Sequence, residues 1–275
     1  MTKSTFFRTL ALSICALNLQ SCGDTTFLRY SQNLAEKAKG TSEKVQTFYG
    51  GLRKAHSQMR IDELKLQADA ATPLDSAAPG PNCPFTSDDV ANRVRSAQFI
   101  ETYSVKMNEL VHSRNPNEMQ AAISDVSGQL VGFNIKNFNP LAALQSAGTP
   151  LTTGLKIAGR RGFAVWANRW LKQALVKSDS VFVEQSKLLK LELAADANEA
   201  ITRATTLQGR AERVYRKKVA AHASEEEKQA ALDEAQRIST FRDSVAKDNP
   251  SQTYDDLLDI HAQLMSQVPD KFKKK

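Results

Sequence analysis

The chain has 275 residues, of which 41% are hydrophobic, 7% aromatic and 24% charged, enough apolar side chains for one large or two small packed domains. Its 37 Lys and Arg against 30 Asp and Glu give a formal charge of +7, a mild basic excess that is spread along the chain and carries no nucleic-acid signature. Its first apolar run falls short of the roughly 20 residues that a membrane-crossing helix needs.

The first stretch, Met1 to Asp24, reads MTKSTFFRTLALSICALNLQSCGD. Lys3 and Arg8 form a positive start, Leu10 to Leu19 a short apolar core interrupted by Asn18, and Leu19-Gln20-Ser21-Cys22 closes it. The core is too short for a permanent anchor, and Leu19 is too large for the minus-three position of an ordinary secretory signal. The closing tetrapeptide resembles the lipobox of bacterial lipoproteins, with a large aliphatic residue three places before a cysteine and a small residue just before it. Gln20 departs from the Ala, Ser, Thr or Val more usual there.

The resemblance implies that the Cys22 thiol takes a diacylglycerol through a thioether, that a peptidase cuts between Ser21 and Cys22, and that the freed amine is acylated too. No other cofactor is expected. Each buried methylene contributes about 0.8 kcal/mol, and a single chain holds only marginally, so two or three chains anchor durably. Gly23 rather than Asp follows the cysteine. By the sorting rule known for lipoproteins of enteric bacteria, that implies the outer membrane, with the body facing the periplasm. Residues 1–21 are then a signal peptide, and its loss lowers the formal charge by two. Cys15 leaves with it and Cys22 is lipidated, so the mature chain keeps Cys83 alone and can form no internal disulfide. Cys83 is either an incidental loop thiol or, in an oxidising compartment, half of an intermolecular disulfide.

Residues 22–70 combine a tether with a long helix. With Phe27, Leu34, Thr41, Phe48 and Ala55 at d positions, Ser31, Ala38, Val45, Leu52, Met59 and Leu66 fall at a, a narrow seam that wants a partner helix. Gly40 and Gly50-Gly51 interrupt it, as hinges, as kinks or as points of close packing. Residues 71–87 hold Pro73, Pro79, Pro81 and Pro84 with Gly80 and read as an exposed connector. The body, residues 88–270, begins with a helix capped by Thr86 or Ser87 whose apolar side is Val90, Val94, Ala97, Tyr103, Met107 and Leu110. Asn115-Pro116-Asn117-Glu118 restarts a helix with Met119, Ile123, Val126 and Leu130 inward.

Val131 to Gly162 mixes a strand-like alternation at Val131, Phe133 and Ile135 with helix starts at Asn139-Pro140 and Thr149-Pro150. It reads as an irregular tip of a bundle or as a membrane-inserting tongue, in which Arg160-Arg161 would have to stay at the headgroups. From Phe163 the chain is strongly helical, with Trp166, Trp170 and Ala174 on one face. After an expected break at Ser178-Asp179-Ser180, a second seam runs Phe182, Ser186, Leu189, Leu193, Ala197, Ala200, Ala204, Leu207, Ala211 and Val214. Its alanines suit the larger Phe and Leu of the first seam. Ser224-Glu225-Glu226-Glu227 is a capping box opening a helix with Ala231, Ala235, Ile238 and Val245 inward. Asp248-Asn249-Pro250 ends it, and Tyr254, Leu257, His261, Leu264 and Val268 mark a last helix.

His56, His112, His222 and His261 stand on separate elements without ligand spacing, so no metal site is expected. No phosphate loop or nucleophile motif occurs, and Asp255-Asp256 and Glu225 to Glu227 fall where helix starts favour negative charge, so no catalytic residue is assigned. The final residues, Lys271, Phe272, Lys273, Lys274 and Lys275, are a candidate for envelope contact. They are similar to the end of the major outer-membrane (Braun) lipoprotein, whose last lysine is joined to peptidoglycan. For this tail the resemblance implies covalent linkage; the bare residues themselves read as a solvated end, or as an electrostatic contact to anionic wall or lipid. The expected fold is all-α, an elongated antiparallel helical bundle or coiled coil with an irregular tip. The expected function is a lipid-anchored, non-enzymatic scaffold with an unidentified envelope protein partner; the alternative is a pore-forming or membrane-perturbing protein inserting residues 131–162.

Overall fold

The computed structural model describes residues 3–69, 87–112, 118 and 160–270. Among them the fold is all-α. Five α-helices follow in chain order: α1 (Lys3–Asp69), α2 (Ser87–His112), α3 (Arg160–Ala220), α4 (Glu225–Asp248) and α5 (Thr253–Ser266), with a 3-10 turn, Pro250–Gln252, between the last two. The expected connector and its Cys83, the helix restarting at Asn115-Pro116, the stretch from Val131 up to the start of α3, and the basic tail lie outside the described residues.

The first seam is buried along its described length. Phe27, Ser31, Leu34, Ala38, Thr41, Val45, Phe48, Leu52 and Met59 are all inside, and Ala55 is half-buried. Ala35, Ser42 and Tyr49, one place after successive d positions, are buried as well. The stripe is therefore wider than a two-position coiled-coil seam and suits a helix with more than one partner. A β-carbon placed on Gly40, Gly50 or Gly51 would meet no atom within 4 Å, so close packing is not what these glycines serve.

All ten residues of the second seam are buried, from Phe182 to Val214. The break expected at Ser178-Asp179-Ser180 does not occur, because α3 runs unbroken through it. Ser and Asp favour caps when their side chains turn back on the local backbone. Here the Ser178 hydroxyl donates to the Leu175 carbonyl within the helix, and the Asp179 carboxylate is engaged by His261. α3 also starts at Arg160, slightly earlier than Phe163. Trp166, Trp170 and Ala174 lie on it, with side chains outside the described residues.

The capping box is formed as its sequence implies. The Ser224 hydroxyl accepts from the Glu227 N–H, and the Ser224 N–H donates to Glu227 Oε2 at 3.0 Å. The preceding stop has no sequence mark. His222 adopts φ 55, with Ala223 N–H reaching Lys218 O at 3.0 Å and His222 N–H reaching Val219 O at 3.1 Å. This is the paired-bond helix ending that glycine usually occupies.

The chain packs as two compact units, one of Met1–Gly40, Ser96–Ser186 and Asp255–Lys275, the other of Thr41–Arg95 and Lys187–Tyr254. Helices α1, α2, α3 and α5 each contribute to both. In the second unit α3 and α4 form an antiparallel hairpin, fastened where Arg242 donates to Gln208 Oε1 at 2.9 Å. There α1 runs parallel to α3, since Tyr49 meets Asp196 while the later Met59 packs among Ala204, Leu207, Ala211 and Val214. Met59 against alanines is the large-to-small pairing that the two seams imply. In the first unit α5 closes over α1 and α3, with Tyr103 and His261 both meeting Phe182.

Candidate functional site

Cys22 and Ser21 lie on the backbone of α1, five and six residues before Phe27, and their side chains are outside the described residues. Lys271, Phe272, Lys273, Lys274 and Lys275 follow Asp270 and are outside them too. Of the histidines, His56 is on α1, His112 on α2, His222 in the turn after α3 and His261 on α5. Among the described residues no group of three His, Cys, Asp or Glu side chains is placed to hold a metal ion. Nor is any helix among them long and apolar enough to cross a membrane.

What the fold does bring together is a set of buried polar ties. In the second unit Tyr49 of α1, Arg93 of α2, and Glu192 and Asp196 of α3 converge. The Tyr49 hydroxyl donates to Asp196 Oδ2 at 2.6 Å, and Arg93 Nε lies 3.2 Å from the same oxygen and 3.7 Å from Glu192 Oε2. Tyr49 and Asp196 are 1% and 6% exposed. One guanidinium thus serves two carboxylates. Burial pushes the Asp196 carboxyl above the usual carboxylate range despite the hydrogen bond from Tyr49 and the charge of Arg93, and burial raises Glu192 as well. Burial, and then the carboxylate of Asp196, drive the Tyr49 hydroxyl far above its ordinary range, so it acts as a fixed donor.

Further along the same unit, Asp62 is buried at the next d position after Ala55. It accepts from Gln58 of its own helix at 2.9 Å and from the Arg237 guanidinium of α4. Arg237 is also held by Glu234 at 2.8 Å, and the bonds from Glu234 and then Asp62 raise its pKa further. A buried carboxylate left without such a partner would cost several kcal/mol, roughly 3–5.

In the first unit His261 of α5 stacks on Phe182 at 4.2 Å, and its Nε2 lies 3.0 Å from Asp179 Oδ1. Its Nδ1 is buried without a hydrogen-bond partner. Next to it Tyr103 and Ser178 are joined at 2.5 Å. Since the Ser178 proton goes to the Leu175 carbonyl, Tyr103 is the donor. Burial raises its pKa well above the ordinary phenol value, and the charge of Asp179 adds to that. Each cluster ties helices distant in sequence.

No protein-family model, curated protein or solved structure matches the chain.

The polar members of these clusters had a signal that apolar scanning passes over. Asp196 stands three residues after Leu193 and four before Ala200, and Asp62 stands seven after Ala55. Both keep the spacing of the buried face. A charged residue at such a position reads as a solvated edge until its partner, far off in sequence, is known.

Proposed function

We propose that the protein is a bacterial lipoprotein, anchored to the outer membrane through acyl chains on Cys22, with a helical body that serves as a non-enzymatic scaffold holding an envelope protein partner. The observation that carries the reading is the motif Leu19-Gln20-Ser21-Cys22 behind a basic and apolar start. The body supports it in one way: its buried polar groups sit between helices as ties, which suits a body whose work is to hold a shape and present surfaces.

The test is chemical and direct. Mass spectrometry of the N-terminal peptide from native membranes is expected to show cleavage before Cys22 and acyl chains on it. A Cys22→Ala variant is expected to leave the membrane fraction or to keep residues 1–21 uncleaved. A cleaved and still membrane-bound variant would remove the anchor. The scaffold role is tested by cross-linking in native envelopes, which is expected to join the body to one recurrent partner.

A further inference from the structure

We propose that the outward face of α3 between Lys187 and Arg213 binds the same face of a second copy of the chain, the two helices running antiparallel about a two-fold axis near residue 200. This face belongs wholly to the second unit. Leu188 and Leu191 are 50% and 67% exposed there, large apolar side chains left in water on the side away from the buried seam. From Leu188 the exposed line continues at helical spacing through Ala195, Asn198 and Thr202 to Thr205, and over about 26 Å it carries no charged side chain. A helix that faces only water ordinarily places its charged residues on this side. The threonines turn their hydroxyls inward, Thr202 to the Asn198 carbonyl and Thr205 to the Ile201 carbonyl, both at 2.8 Å, and so present methyl groups outward.

The charges along the edges of the face decide its occupant. On one edge Glu192, Glu199, Arg203 and Arg210, spaced by seven, four and seven residues, put two acids before two bases. A second copy laid on in the same direction sets like charge against like. Turned end for end about a point near residue 200, it sets Glu199 level with Arg203 and Glu192 level with Arg210, and the two-fold axis repeats each pairing. The opposite edge obeys the same rule, because Lys187 comes level with Glu212 of the second copy. In the middle of the face the same turn places Leu191 opposite Gly209, where a β-carbon would meet no atom within 4 Å, so the larger side chain has room. Leu188 comes opposite Arg213, whose aliphatic stem covers it. Within each copy Arg203 already meets Glu199 at 2.8 Å, so the two copies together place these four charges in one alternating cluster. Burial of the leucines supplies the attraction, and the charge order fixes register and direction.

The full chain, purified in mild detergent, is treated with a water-soluble carbodiimide, which takes up water to become a urea as it joins a carboxylate and an amine in an amide. Lys187 and Glu212 stand about 38 Å apart along one helix, so an amide between them, found by mass spectrometry of the proteolytic peptides, can only link two copies. The expected result is this link in a covalent dimer, with sedimentation of the untreated chain following a monomer–dimer equilibrium. Leu191→Lys, a change to a side chain already in water, is expected to weaken the dimer about tenfold or more while the helical circular dichroism stays as in the wild type. Arg203→Glu is expected to weaken it as well, and adding Glu199→Arg to restore it. A chain that sediments as a monomer at every concentration would overturn the proposal, as would a dimer that lacks the Lys187–Glu212 link or withstands Leu191→Lys. With the reagent applied to native membranes, a link from Lys187 to a different protein and none to a second copy would give the face another occupant and overturn it equally.

Discussion

Tyr49 and Glu192 have opposite effects on the same buried cluster. Replacing Tyr49 with Phe removes the donor at 2.6 Å from Asp196 and keeps the ring, so Asp196 must rely on a guanidinium it shares with Glu192. Loss of a buried bond to a charged acceptor costs about 1–3 kcal/mol, to be read as a lower urea midpoint at unchanged slope. For Glu192 the sign reverses. Burial raises the folded-state values of Glu192 and Asp196, so between the unfolded and folded values the folded chain binds more protons than the unfolded one. Stability from these groups is greatest below the unfolded values, near 4, and falls as pH rises through the folded ones. Glu192→Gln removes one such penalty. It is expected to melt at or above the wild-type temperature at neutral pH, with the gap closing as pH falls toward 4. A variant that melts lower at neutral pH would show the pairing with Arg93 outweighing burial.

At the level of the helix, what could be read from sequence and what could not divide along one physical line. Apolar seams were legible because burial imposes spacings of three and four, and the alanine-rich run on α3 is buried at every position. The capping box was legible because its two partners are three residues apart. The stop at His222 was not, since the left-handed residue there is not glycine. Nor was the persistence of α3 through Ser178-Asp179-Ser180, which depends on Tyr103 and His261, 75 and 82 residues away from their partners in sequence. Of the candidate site, the cysteine motif is linear and rests on the sequence alone; the clusters need helix register and were not legible. The glycines of α1 give a prediction at this scale. Gly50 and Gly51 sit mid-helix with open space where a β-carbon would go. Changing each to Ala should stabilise by about 0.5–1 kcal/mol through reduced freedom of the unfolded chain. A double variant that melts lower would show that α1 needs these glycines to bend.

For the molecule as a whole, the division into two units falls inside helices and not in loops. Its boundaries cross α1 at Gly40, α2 at Arg95, α3 at Ser186 and α5 at Tyr254. Opening one unit therefore has to interrupt four continuous helices, and a helix end created without a cap leaves several backbone groups unsatisfied. That cost argues for a single cooperative transition. The chain's two tryptophans, Trp166 and Trp170, both belong to the segment of α3 in the first unit, whereas Leu193 is fully buried in the second. Leu193→Ala should cost about 2–5 kcal/mol by removing packed methyl groups and leaving a cavity. With coupled units, tryptophan fluorescence and far-ultraviolet circular dichroism of this variant shift to the same lower denaturant midpoint. A fluorescence midpoint that stays at the wild-type value while the helical signal drops early would mean that the units unfold separately, each helix breaking at the boundary.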